Sequence, residues 1–267
     1  MANPRLDTAR AAAFARQSRE VRARVQSFAA RQFAAGQYRD ADLARFVSQV
    51  SPVVLASRRQ VSSMTDAYLT QVLQSSGIKP PRRGPIDTAT LRGVPVDEVY
   101  ARPYQSVWTS LSNDVAYPDA VATGASRLVD LIATDMQLAM THTSRDVLTH
   151  SRGVTGYSRS PSGVNTCALC EIASTQVYYK ADLMPIHPNC GCGVDIISES
   201  KPWDQSAADQ RLYDTHAAVQ DALGMDDPSA RAPDYRKLIV TREHGEIGPM
   251  LARASDRFTG PDALKAA

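Results

Sequence analysis

All four cysteines of the chain fall between positions 167 and 192, as Cys167-x2-Cys170 followed by His187-x2-Cys190-x-Cys192. Five thiolate or imidazole donors thus crowd into about a tenth of the 267 residues. This pattern constrains its segment more than any hydrophobic periodicity does, because a tetrahedral Zn²⁺ ion takes four such ligands at roughly 2.0 to 2.3 Å. A Cys-x2-Cys turn presents two sulfurs to one hollow, and a second cluster about twenty residues on closes the tetrahedron. The second half departs from that rule, being Cys-x-Cys with a histidine three residues before Cys190. Five candidates therefore compete for four places. Cys167, Cys170, Cys190 and Cys192 are the first choice, with His187 either replacing one of them or steadying a thiolate from outside the coordination sphere.

Other uses of the cysteines fit less well. Four cysteines permit three disulfide pairings, but a Cys-x-Cys pair is awkward to bridge to itself. Residues 1–35 are Arg-rich and amphipathic, without the apolar run of a secretory signal. A redox Cys-x2-Cys lacks its βαβ setting. Catalytic zinc needs an open coordination position and a nearby base, whereas five protein donors favour a closed, structural site. Between Gly153 and Ser200, Gly and Pro recur and apolar runs are as short as Val194 to Ile197. Such a segment buries little by itself. Structural zinc contributes an apparent ~10 to 16 kcal/mol as folding free energy, so the ion is expected to fold the module.

At 267 residues, 43% of them apolar and 22% charged, the chain is long enough for one sizeable core plus a small module. No apolar run approaches the roughly 20 residues of a membrane helix, so no transmembrane segment and no membrane partner are expected. From Thr8 to about Ala35 there is no Gly or Pro, alanine is abundant, and Val21, Val25 and Phe28 recur at helical spacing. A second helix is predicted to open near Asp40, with Leu43, Phe46, Val47 and Val50 on one face and Pro52 interrupting or restarting it. A third covers about Val53 to Gln74. The Gly- and Pro-punctuated stretch 75–87 reads as a connector, after which helical pattern resumes over 96–113 and from Asp119 to about His150. The fold expected is mainly α. A helical bundle occupies 1–150, a small irregular α+β zinc-binding module 151–200, and a helix (207–223) plus a β-hairpin flanking residues 242–246 fill 201–255, before a loosely held tail over 256–267.

Charge is unevenly distributed. Residues 1–60 hold eleven Arg, no Lys and four acidic residues, a balance of +7 against a total of +2, which leaves −5 for the rest. The planar guanidinium fork suits carboxylates and phosphates alike. Three readings stay open: a solvated helix face, docking on an acidic protein surface, and contacts with nucleic-acid phosphates. Catalytic groups outside the cysteine cluster are sparse. His244 stands between Glu243 and Glu246 in a string that suits a base held by an acid, although a polar turn produces the same string. There is no Gly-x-Ser-x-Gly elbow, no His-Glu-x-x-His helix and no P-loop.

Gly153-Val154-Thr155-Gly156-Tyr157, then Pro161-Ser162-Gly163, then the Cys-x2-Cys and His-Pro-x-Cys-x-Cys motifs, all after a long helical region, resemble the phage Mu F-like head-morphogenesis or minor capsid family. The stretch from Tyr179 to Pro188 is similar to versions found in phages of actinobacteria. The match spans about residues 150–197. It implies a protein made in the host bacterial cytoplasm and built into the virion, in the capsid interior or at the portal vertex, in low copy number. Its implied partners are the portal protein and the major capsid or scaffolding protein, with a contact to packaged DNA through the Arg-rich helix. Some relatives of this type are labelled capsid maturation proteases. That makes proteolysis of head proteins the alternative to a non-enzymatic assembly role, with His244, Glu243 and Glu246 as its candidate catalytic residues. A zinc nuclease, suggested by the His-Pro-x-Cys string, lacks an Asn and a second His at useful spacing.

Overall fold

The chain opens with a run of good helix formers beyond Pro4, and it folds as α1 (Pro4–Ala34), burying Phe14, Val21, Val25, Ala29 and Phe33 along one stripe. This computed structural model describes residues 4–161, 168–187, 190–216, 219–220 and 235–255. The expected break at Pro52 does not occur: α2 (Asp40–Ser75) runs through it as one helix. An internal proline costs about 3 kcal/mol. Pro52 itself is exposed, however, while Phe46, Val50, Val54 and Val61 on either side of it share one buried core. Burying each such side chain contributes roughly 1.5 to 3 kcal/mol, so a continuous stripe outweighs one lost hydrogen bond.

Two further helices complete the bundle, α3 (Val96–Ser112) and α4 (Tyr117–His150). Residues 132–140 of α4 are buried on every side, which marks it as the central helix. It approaches α3 so closely at Gly124 that a Cβ there would stand 2.7 Å from the Pro103 carbonyl oxygen and 2.8 Å from the Phe33 ring.

At the middle of the bundle sits a charge. Asp135 on α4 is fully buried, and its carboxylate accepts hydrogen bonds from Arg58 Nη2 (2.5 Å) and Nε (3.2 Å), from Arg92 Nε (2.5 Å) and from the Tyr100 hydroxyl (2.7 Å). Arg58 also donates to the carbonyls of Thr88 and Ala89, both at 3.3 Å. The Gly- and Pro-rich connector is thereby drawn down onto the bundle. Its earlier part is fastened by Arg83, which pairs with Asp66 on α2 and, at 2.6 Å, with Asp146 on α4. Burial tends to lower the Arg92 pKa, but Asp135 and, more weakly, Glu246 hold it above its usual value. Burial and the adjacent Asp135 carboxylate push the Tyr100 hydroxyl well above the ordinary tyrosine range.

After the bundle come β1 (Val154–Ser160), the short helix α5 (Ala168–Ser174), β2 (Val177–Tyr179) and β3 (Gly193–Ser198). The three strands form an antiparallel sheet in the order β2-β1-β3, with Tyr157 opposite Ile196 and Ser160 opposite Gly193. One face, through Val154, Tyr157 and Ile196, packs on Leu69 and Leu73 of α2 and Val147 of α4. The chain continues as α6 (Gln205–Asp214), capped by the Asp204 carboxylate on the Ala207 N–H, and the last described elements form a hairpin of β4 (Ile239–His244) and β5 (Gly248–Arg253). The architecture is therefore mainly α: a helical bundle, a small α+β module, then a helix and a β-hairpin. The helix expected over 207–223 is described as Gln205–Asp214, and the expected loop (226–233) and tail (256–267) lie outside the described residues. The expected polar turn is shorter than 242–246. Arg242, Glu243 and His244 belong to β4, where burial alternates with period two and Glu243 faces Pro249 across the ladder. No helix among the described residues is long and apolar enough to cross a membrane.

Two substitutions test this packing. Gly124→Ala gains roughly 0.5 to 1 kcal/mol of helix propensity but overpacks against the backbone of α3 at a cost of about 1 to 3 kcal/mol, so urea denaturation should show net destabilisation. Asp135→Ala leaves two buried guanidinium groups without their counter-charge and is expected to lose about 3 to 5 kcal/mol in the same measurement.

Candidate metal centre

Three elements bring the cysteines together. Cys170 lies on the first turn of α5, and Cys190 and Cys192 precede β3. The loop leading to Cys190 is fixed at its start by Ile186, whose N–H donates to the Pro249 carbonyl (3.2 Å) and whose carbonyl accepts from the Leu251 N–H (2.7 Å) on β5. His187 and Cys190 then share a turn, the Cys190 N–H donating to the His187 carbonyl at 3.1 Å. At the far end the Cys192 carbonyl accepts from Gln137 Nε2 of α4 at 3.3 Å. The loop is thus held on one side by the hairpin and on the other by the central helix.

The Sγ atoms of Cys170, Cys190 and Cys192 all lie within 4.8 Å of one another, and all three residues are buried. Cys170 and Cys190 are 3.9 Å apart at sulfur, against about 2.05 Å in a disulfide. Four ligands at about 2.3 Å in a tetrahedron stand roughly 3.8 Å from each other. The observed separation therefore matches a shared ion and excludes a bond between these two sulfurs. His187 reaches the cluster through Cys170, with Nε2 at 3.0 Å from Sγ. Cys167, the remaining candidate, lies outside the described residues.

Sequence reasoning missed Arg159. This β1 residue is 1% exposed, and its Nη1 points at Cys170 Sγ (3.7 Å) and Cys190 Sγ (3.9 Å). Burial works to lower its pKa, yet the charges of Cys190 and Cys192 hold it above the ordinary arginine value. Hydrogen bonds from Cys170 and Cys192, reinforced by the Arg159 charge, pull the Cys190 thiol well below its usual range. For Cys192 the Cys170 hydrogen bond acts downward, but the hydrogen bond with Cys190, burial and the Cys190 charge together push it up. The Cys190 sulfur is thus the one of the two whose thiolate form the surroundings favour, and it lies 3.9 Å from the buried Arg159 guanidinium. A buried guanidinium requires such a counter-charge. Neutral thiols or a disulfide would withhold it, whereas metal thiolates supply it. The signal available in the sequence was only an arginine in an otherwise strand-like run, two residues before Pro161.

Cys170, Cys190 and Cys192 can therefore hold a metal ion. The other expected group is placed elsewhere. Glu246, in the hairpin turn, has its carboxylate gripped by Arg102 Nη1 (2.7 and 2.9 Å) and, at 3.5 Å, by Arg92 of the Asp135 network. His244 Nδ1 accepts the Glu246 N–H at 3.2 Å, and Glu243 is exposed. This arrangement anchors the hairpin to the bundle and leaves the Glu246 carboxylate paired with arginines rather than with the His244 ring. Compared with known proteins, the chain matches no family model, no curated protein and no solved structure.

Protein purified without chelator should carry one metal ion per chain by elemental analysis, and Cys190→Ser or Arg159→Met should lower that occupancy. Because binding converts thiols to thiolates, uptake releases protons. Metal affinity measured by competition with a chromogenic chelator should accordingly rise with pH and fall as the solution is acidified.

Proposed function

We propose that the ion is Zn²⁺ in a closed, structural site, and that the chain is a phage head-morphogenesis or minor capsid protein of the Mu F-like kind, docked at the portal or the inner capsid during head assembly. The observation that carries this reading is the buried three-sulfur cluster. It is assembled from the same Cys-x2-Cys and His-Pro-x-Cys-x-Cys motifs on which the family resemblance rests. Zinc suits three thiolates in a tetrahedral pocket without redox chemistry. His187, whose Nε2 touches Cys170 Sγ, is our candidate for the fourth position, which it would take by turning toward Cys190 and Cys192. A centre of three thiolates and one imidazole carries a net charge of −1, and the Arg159 guanidinium is its buried counter-charge.

In this role the zinc module is a fastening rather than a catalyst. It joins the central helix α4, through Gln137 and the Cys192 carbonyl, to the C-terminal hairpin, through Ile186. The portal or capsid partner then meets a rigid surface, and little ordering entropy remains to be lost on docking.

Cobalt substitution tests the ligand set: three sulfurs and one nitrogen should be seen in the ligand-to-metal charge-transfer bands, unchanged by Cys167→Ser and altered by His187→Ala. Coexpression with the cognate portal and major capsid proteins tests the role. Shells are expected to assemble with unprocessed capsid protein and to lose this chain when Cys190 is changed to Ser. Capsid protein that is cleaved with the wild type and intact with His244→Ala would instead assign the chain as a protease.

A further inference from the structure

Between α1, α2, α4 and the sulfur loop lies a cleft of about 1170 Å³. It is larger than the roughly 300 to 1,000 Å³ of common small-molecule sites. Exposed lining residues such as Gly77, Gly191 and Lys201 show that it opens to solvent. Its inner wall is apolar, formed by Phe14 of α1, Val61 of α2, and Met136 and Met140 of α4. Onto this wall α1 also presents two half-buried arginines one turn apart, Arg19 and Arg22. Neither has a hydrogen-bond or ion-pair partner among the described residues, and Arg19 Nη1 and Ser18 Oγ are shielded from water with nothing to bond. Asp195, the acidic residue of the lining, is engaged by Lys201 at 2.6 Å. Burial and then repulsion from Arg19 lower the Arg22 pKa, and the nearby Cys190, which also lines the cleft, offsets this only in part.

We propose that this cleft is a docking groove for a partner protein's peptide segment that carries both carboxylates and large apolar side chains. The paired guanidinium forks match carboxylates in bidentate geometry. Methionine walls adapt to whichever apolar side chains arrive, and an amphipathic segment laid in a groove is a common way of reading such a surface. A nucleic-acid strand fits less well. Single strands bind by stacking bases on aromatic faces, and here the rings of Phe14 and Tyr68 stack on each other, centroids 4.6 Å apart and nearly parallel. The groove's role does not depend on the identity of the ion or on the head-assembly reading.

The test is an unbiased peptide-display selection on the full-length, metal-loaded protein, with Arg19→Gln/Arg22→Gln as the counter-selection target and circular dichroism to verify that this variant keeps its helices. Enriched peptides should combine Asp or Glu with large apolar residues. Measured by fluorescence anisotropy, they should lose roughly tenfold or more in affinity against the double Gln variant. Arg19→Lys/Arg22→Lys, which keeps the charge but not the fork, should fall between, and Met136→Glu should abolish binding while leaving the arginines in place. Selection that yields no enrichment, enriched peptides lacking acidic residues, or equal binding to the double Gln variant would overturn the proposal. So would a twelve-nucleotide thymidine strand that binds more tightly than the peptides with the same arginine dependence.

Discussion

A single buried carboxylate organises this molecule. Asp135 sits on the central helix with no exposure to water, and four parts of the chain converge on it: α2 through Arg58, the connector through Arg92 and the carbonyls of Thr88 and Ala89, α3 through Tyr100, and α4 itself. Two arginines on one aspartate leave a surplus positive charge inside the protein. Glu246, from the distant hairpin turn, supplies the second carboxylate and is shared with Arg102. The hairpin in place thus brings a second carboxylate to the arginines around Asp135. Apolar burial is the larger energy in the bundle, but it is non-directional. The ionic network sets where the connector and the hairpin must lie.

The metal module repeats this logic with softer ligands. Its sulfur cluster is enclosed by α5, by a loop tied to α4 and β5, and by Arg159 from the neighbouring strand. In both places a charge is buried with its partner arriving from a remote part of the chain. In both, removing one member strands the other in a low-dielectric interior. The zinc reading adds an ion whose binding free energy supports a segment with few apolar residues of its own.

Much of this was legible in the sequence. Helix-forming runs bounded by Gly36 and by the connector mark the bundle, and the spacing of the cysteines by itself points to a ligand cluster. What escaped did so for identifiable reasons. Pro52 read as a break because local propensity is visible in a sequence and the burial of Val50 and Val54 on both sides is not. Asp135 and Arg159 look like ordinary charged residues in a helix and a strand, since their partners stand 43 to 77 positions away for Asp135 in Arg92 and Arg58, and 11 and 31 positions away for Arg159 in Cys170 and Cys190. Glu246 read as a neighbour of His244 because it is two residues along the chain. Its actual partners are 144 and 154 residues distant.

That long reach from Glu246 back to Arg92 and Arg102 bears on how the protein is made. The four helices rest largely on contacts between neighbouring elements and emerge first from the ribosome. The hairpin is synthesised after the four helices. Until it arrives, Arg92 and Arg102 lack the Glu246 carboxylate, and the hairpin's docking ties β4 and β5 to the middle of the chain. Loss of the hairpin would therefore be felt about a hundred and fifty residues upstream, through Glu246 and through Ile247, which is buried in the same core as the bundle helices.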